Sequence, residues 1–271
     1  MNGKRIGSVF AALLVLSACG GDERSSDGTG EPAEEAGTNV VRVGASEYAF
    51  SMPAEIEGGV VSLELVNEGE EHHEFAFGRL EEGADIEDVI EQMQKGGRGG
   101  ESSEDLAGVS VVSPGVTMTM VRELEPGTYF FLCAFPTQDF TPHLAKGMYT
   151  SFEVTGDAGA ESPEADATVV ATDEGFEVPE LASGEQVIEF RNSGTKEHEF
   201  LLARLMEEGA SPKDFERWIG KGQMGDSPLF FPGGLQTIPP GSSVIQILTL
   251  EEGDYLLEDF PSKLRASFSI P

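Results

Sequence analysis

The sequence predicts an all-β chain of two β-sandwich units, each carrying one short helical insert. Three observations predict it. Apolar and polar residues alternate at period two, as in VSLELVN, where Val61, Leu63 and Leu65 share one face and Ser62 and Glu64 the other. Short aromatic and β-branched runs (TYFFL, YTSFEV, SVIQILTL) are punctuated by turn signals such as EPGT and PPGSS. The pattern also occurs twice. LELVNEGEEHHEFAFGRLEEGA at 63–84 matches IEFRNSGTKEHEFLLARLMEEGA at 188–210, and LEPGTYFFLCAFP at 124–136 matches LEEGDYLLEDFP at 250–261. KGMYTSFEV at 146–154 likewise matches KLRASFSI at 263–270. A period of about 125 residues means two units of common ancestry, not a solenoid array.

Taken in chain order, Lys4 and Arg5 form a positive segment, residues 6–16 a short apolar one, and Leu16-Ser17-Ala18-Cys19 reads as a lipobox. The apolar run is too short to span a bilayer, so residues 1–18 are expected to be a cleaved signal. Similarity to bacterial lipoproteins implies that Cys19 becomes the lipidated first residue and that the protein works outside the cytoplasmic membrane. Residues 19–39 are a polar tether with too few apolar side chains to fold. The first unit covers 40–155, GDAGAESPEADA marks a linker at 156–167, and the second unit covers 168–271. DIEDVIEQMQKGG and SPKDFERWIGKG are the helical inserts, the second with Ser211 as cap and Pro212 in its first turn.

The net charge is −32, and loss of Lys4 and Arg5 with the signal makes it −34. Such a surface repels nucleic acid and anionic headgroups and fits a cationic partner or saline surroundings. Lipidation of Cys19 leaves Cys133 without an intramolecular partner in an oxidising compartment. That thiol is an intermolecular bridge, an inert buried group, or a metal ligand.

The segment CAFPTQDFTPHLAKGM supplies Cys133, His143 and Met148 in one stretch. A thiolate and two imidazoles with a weak thioether form an electron-transfer copper site, so one imidazole must come from elsewhere. Strand parity puts His73 on the face of Phe75 and Phe77, toward the core, and His72 toward water. The repeat agrees, since His198-Glu199-Phe200 aligns with His73-Glu74-Phe75. The expected ligand set is His73, Cys133, His143 and Met148 around one copper ion. Zinc fits less well, because structural zinc sites lack a thioether.

Asn67-Glu68-Gly69 with His73-Glu74-Phe75, then GTYFFLC ending at Cys133, then Pro142-His143 with four residues before Met148, closely resembles the cupredoxins, the blue copper proteins that include plastocyanin and azurin. The resemblance spans nearly all of 40–155. It implies two Greek-key β-sandwich domains, a copper site at one end closed by the loop from Cys133 to Met148, and one-electron transfer through an exposed edge of His143, flanked by Phe140, Pro142 and Leu144. Two features depart from the family: nine residues separate Cys133 from His143, and Glu74 stands where an Asn often braces the ligand loop.

The second unit keeps His198, but Glu258-Asp259 replaces the Cys133 region and no His or Met follows. It is expected to be a copy without copper, which docks a partner or covers its sibling; Phe130 and Leu132, opposite Cys133 on their strand, need such cover. The chain has four histidines. With His73 and His143 committed, two remain, which cannot build a trinuclear cluster and leave a three-histidine site one short. The expectation is therefore no enzyme. GGRGGESS lacks the Lys-Ser/Thr of a phosphate loop, and the Glu70–Glu74 run reads as a solvated strand edge. The expected function is a membrane-tethered copper electron carrier serving a redox partner protein, with no nucleic acid. A copper carrier or scavenger and a copper-free binding module are the alternatives.

Overall fold

The computed structural model describes residues 39–94 and 102–271. The expected signal segment, Cys19 and the tether as far as residue 38 lie outside the described residues. No helix among those described is long and apolar enough to cross a membrane.

The first half runs β1 (Val40–Ser46), β2 (Ala49–Ser51), β3 (Glu55–Glu57), β4 (Gly59–Asn67) and β5 (His73–Leu80) into α1 (Ile86–Gln94). It continues with β6 (Ser103–Asp105), β7 (Val109–Val112), β8 (Thr117–Leu124), β9 (Gly127–Leu132) and β10 (Tyr149–Thr155). The second half comprises β11 (Ala167–Thr172), β12 (Gly175–Glu177), β13 (Gly184–Asn192) and β14 (His198–Leu205), then α2 (Pro212–Gly220). It closes with β15 (Leu229–Ile238), β16 (Ser243–Leu250), β17 (Gly253–Asp259) and β18 (Leu264–Ile270). Both helices lie where the sequence places them. Asp85 and Asp88 cap α1 reciprocally, each accepting the other's backbone N–H. Ser211 precedes α2, but its hydroxyl donates to Asp214 instead of capping the backbone.

The strands form two sheets, and both pass from one half into the other. One is ordered β12-β11-β13-β16-β8-β4-β1-β2; the other is ordered β18-β17-β14-β15-β7-β5-β9-β10-β3, with β6 on β5. At the seam, Ile245, Gln246 and Ile247 of β16 pair with Val121, Met120 and Thr119 of β8, and Leu235 of β15 pairs with Val109 of β7. Joining edge to edge satisfies backbone groups that open edges would leave bare. Gln246, fully buried near the seam, exchanges two hydrogen bonds with the backbone of Gly234.

The inward faces follow the period-two pattern. Val61, Leu63 and Leu65 are buried, and with Phe75, Phe77, Phe131, Phe190 and Phe200 they belong to one apolar core spanning both halves. A second cluster lies on the outer face of β9, where Phe130, Leu132 and Leu144 pack with Ile86, Val89 and Ile90 of α1. Phe130 and Leu132 are thus buried as their apolar surface demands, but by the helix of their own half and not by the second unit. That helix has an apolar face to bury and follows β5 closely, so the cover is local.

Candidate metal centre

The loop that delivers His73 is tied down by its own polar residues. Asn67, at the end of β4, donates through Nδ2 to the carbonyls of Glu71 and Val112, while its Oδ1 accepts from Gly69 N. Glu47 Oε1 accepts from Glu70 N and Glu71 N at 2.6 and 3.0 Å. A Cβ on Gly69 would stand 2.3 Å from that oxygen and 2.9 Å from His73 Nε2, so only glycine lets carboxylate and ring approach. His73 then opens β5 opposite Val112, and a register shift between His73 and Phe75 re-aims the strand at that point.

Cys133 follows directly on β9, with its N–H on Met148 O and its carbonyl accepting from Leu144 N. The nine-residue loop is internally braced: Pro136 bridges Pro142, and Thr137 exchanges backbone hydrogen bonds with Thr141 and Phe140. A 3-10 turn, His143–Lys146, ends at Gly147, whose φ of 100° suits glycine and lets its N–H reach His143 O and Leu144 O. Glu74, in the bracing position, supports the same loop by two bonds. Its N–H points at Cys133 Sγ, 3.2 Å away, and its carboxylate accepts from Ala134 N.

These segments bring three donors together. Cys133 Sγ lies 3.4 Å from His143 Nδ1 and 3.9 Å from His73 Nδ1, and the two Nδ1 atoms are 3.1 Å apart. All three side chains are fully buried and form the one candidate cluster for a metal among the described residues. Met148 is also fully buried, joined to Cys133 and His143 through its backbone. Burial, aided by the neighbouring His143 and opposed by Glu47, lowers the pKa of His73 to about 4; burial lowers His143 too, against the pull of Glu71. Both rings are therefore neutral near pH 7 and have lone pairs to offer. Burial pushes the Cys133 thiol up, so without a cation the sulfur keeps its proton. A soft sulfur and two imidazoles in a buried cluster suit a thiophilic transition metal.

Two expectations about exposure are overturned. His72 does not face water. It is 5% exposed, stacked on Phe135 and met edge-on by Phe215, Trp218 and Phe231. It lies one residue before β5 begins, so strand parity does not govern it, and α2 of the second half brings two of the covering rings. Nor does His143 present an edge to solvent. Its Nε2 faces Glu71 Oε2 at 2.9 Å, and Tyr48 sits edge-on with ring centroids 4.9 Å apart. Of its expected flank, Phe140 is exposed while Leu144 packs under α1. Glu71 thereby leaves the solvated edge that the Glu70–Glu74 run suggests. Glu47, Tyr48 and Glu71 are the site residues that the motif reading passes over.

In the second half, the same frame carries different chemistry. Asn192 bonds Lys196 O, Ile238 O and Gly194 N, and Asp173 occupies the place of Glu47 by accepting from Thr195 N and Lys196 N. Asp259 stands where Cys133 stands, and its Oδ2 lies 2.6 Å from His198 Nδ1, with Asp173 Oδ1 3.3 Å from Nε2. His198 is thus held at both nitrogens.

No family model and no curated protein matches the chain. Among solved structures it is similar to a dithionite-reduced auracyanin from Roseiflexus castenholzii, at 21% identity over 44% of this chain and 98% of that one, with a TM-score of 0.33. Auracyanin A, a "blue" copper protein from Chloroflexus aurantiacus, is 17% identical over 44% of this chain and all of that one, with a TM-score of 0.32. A copper nitrite reductase from Nitrosomonas europaea is 15% identical over 87% of this chain and 94% of that one, with a TM-score of 0.27. What the site can do follows from its own atoms. In the order of Cys133, His143 and Met148, and in the convergence of His73 upon the first two, the chain is similar to the cupredoxins.

Proposed function

We propose that this is a blue-copper-type electron carrier, lipid-anchored through Cys19 outside the cytoplasmic membrane, with one copper ion in the first of two Greek-key cupredoxin-like domains. The observation that carries the reading is the convergence of Cys133 Sγ with the Nδ1 atoms of His73 and His143 in a fully buried pocket. Those three would hold the metal, with the Met148 thioether as weak axial donor. Bound copper supplies a one-electron couple. The chain supplies a fixed, buried donor set, which keeps reorganisation small and favours electron exchange over substrate chemistry. The other histidines are committed elsewhere: His72 to an aromatic box and His198 to two aspartates. This use of all four imidazoles favours a carrier over an oxidase or reductase. The strongly acidic chain suits a redox partner with a cationic face.

Adding Cu(II) to the purified protein should produce an intense thiolate-to-copper absorption near the visible red, absent in Cys133→Ser. A colourless wild type would sink the proposal. Quantitative transfer of Cu(I) to an acceptor chelator protein, without redox cycling, would favour copper delivery instead.

A further inference from the structure

Glu71 exists only where His143 exists. The repeat places Lys196 at the equivalent position, in the half that has no second imidazole. By contrast Glu47 has a counterpart in Asp173, and both brace their loops through the same pair of backbone N–H groups. The carboxylate shared by the two halves is therefore part of the frame, and Glu71 is an addition specific to the metal centre.

Its geometry says what it adds. Glu71 Oε2 and His143 Nε2 face one another at 2.9 Å, off the N–H axis, and neither atom has another hydrogen-bond partner. The other carboxylate oxygen lies 3.5 Å from the Tyr48 hydroxyl. A neutral imidazole carries one proton, and a carboxylate facing Nε2 favours the proton on that nitrogen, which leaves Nδ1 as the acceptor. Nδ1 is the atom turned toward Cys133 and His73. We propose that Glu71 is a positioning residue: it fixes His143 in the Nε2–H tautomer, aims Nδ1 at the copper position, and by its negative charge favours Cu(II) over Cu(I). The inference rests on the electron-carrier reading and names what tunes that site.

The test compares Glu71→Ala and the near-isosteric Glu71→Gln with wild type, using Glu70→Gln on the neighbouring exposed carboxylate as control. Nitrogen-15 shifts of His143 in the metal-free protein should show a single Nε2–H tautomer in wild type and in the control. Both Glu71 variants should show a mixture. The Cu(II)-to-Cu(I) affinity ratio should fall about tenfold in Glu71→Gln, which is ~59 mV for a one-electron couple. Unchanged tautomer and unchanged ratio in both Glu71 variants would overturn the proposal. If wild type gives no thiolate-to-copper band yet the tautomer still follows Glu71, the electron-carrier reading falls and the positioning of His143 stands.

Discussion

The two halves of the chain build the same pocket and fill it differently. Each has an Asn that ties its loop to a neighbouring strand, a Gly that admits a carboxylate to the ring, and a buried His opening a strand. Where the first half then places Cys133, the second places Asp259. The aspartate satisfies His198 directly, at 2.6 Å, and closes the site on itself. Cys133 makes only longer contacts, 3.4 and 3.9 Å from the two Nδ1 atoms, and burial keeps its thiol neutral, so it is a weaker partner than a carboxylate. The frame is thus common to both halves. The proposed metal centre differs from its counterpart by a few residues added to that frame.

The sharpest way to break this comparison is to make one half resemble the other. Cys133→Asp should pair with His73 as Asp259 pairs with His198. The thiolate-to-copper band should vanish entirely, and calorimetric titration should show Cu(II) affinity lower by more than about a hundredfold. A retained band would mean that sulfur is not the ligand.

The next effect is on stability, and it falls on the other half. Asp259→Ala leaves a fully buried imidazole nitrogen without its close hydrogen-bond partner, which costs about 3 kcal/mol. Cys133→Ala in metal-free protein removes only a small side chain and should cost about 1–2 kcal/mol. Urea unfolding of the two variants measures the difference. Equal costs would show that the hydrogen bond between Asp259 and His198 adds nothing to the second half.

A third change probes the contact between halves. Phe215 of α2 packs on His72, Phe135 and Phe231, so it joins the second half's helix to the ligand loop of the first. Phe215→Ala should cost about 3 kcal/mol in the same unfolding assay. It should leave the copper band in place, because the ring contacts of Phe215 are with His72, Phe135, Trp218 and Phe231, none of them a proposed ligand. Loss of colour would make α2 part of the metal centre.

The sequence resolves these features unequally. Strand faces were legible because burial on a sheet has period two, and His73 could be chosen over His72 because the repeat duplicates only His73. Helices α1 and α2 were legible from their inserts. His72 was misplaced because it precedes the strand, and its surroundings come from α2, more than a hundred residues away, where no local period reaches. The role of Glu71 lay in an acidic run that composition alone makes ordinary. The mismatch with Lys196 was the available signal, visible only when the repeat is read for its differences. Continuity of the sheets across the seam had no local signal, since edge pairing depends on which strands end up outermost.

The smallest expected effect concerns the acidic residue that follows each histidine. Glu74 and Glu199 occupy equivalent positions and line one cavity of about 300 Å³ beside α1. Burial raises both pKa values to about 7; a backbone N–H opposes it in each, from Ala134 for Glu74 and from Phe260 for Glu199. For Glu199 the folded value then lies above the ordinary 4.5, so between those pH values the native state binds more protons than the unfolded chain. Stability must fall as pH rises across that window, and the penalty is complete above about pH 7. Glu199→Gln removes the charge that burial disfavours. It should raise the melting temperature at pH 8 by on the order of 2 °C and leave it unchanged near pH 4. A gain of equal size at both pH values would assign the effect to packing, and a loss at pH 8 would show that the second half needs this carboxylate ionised.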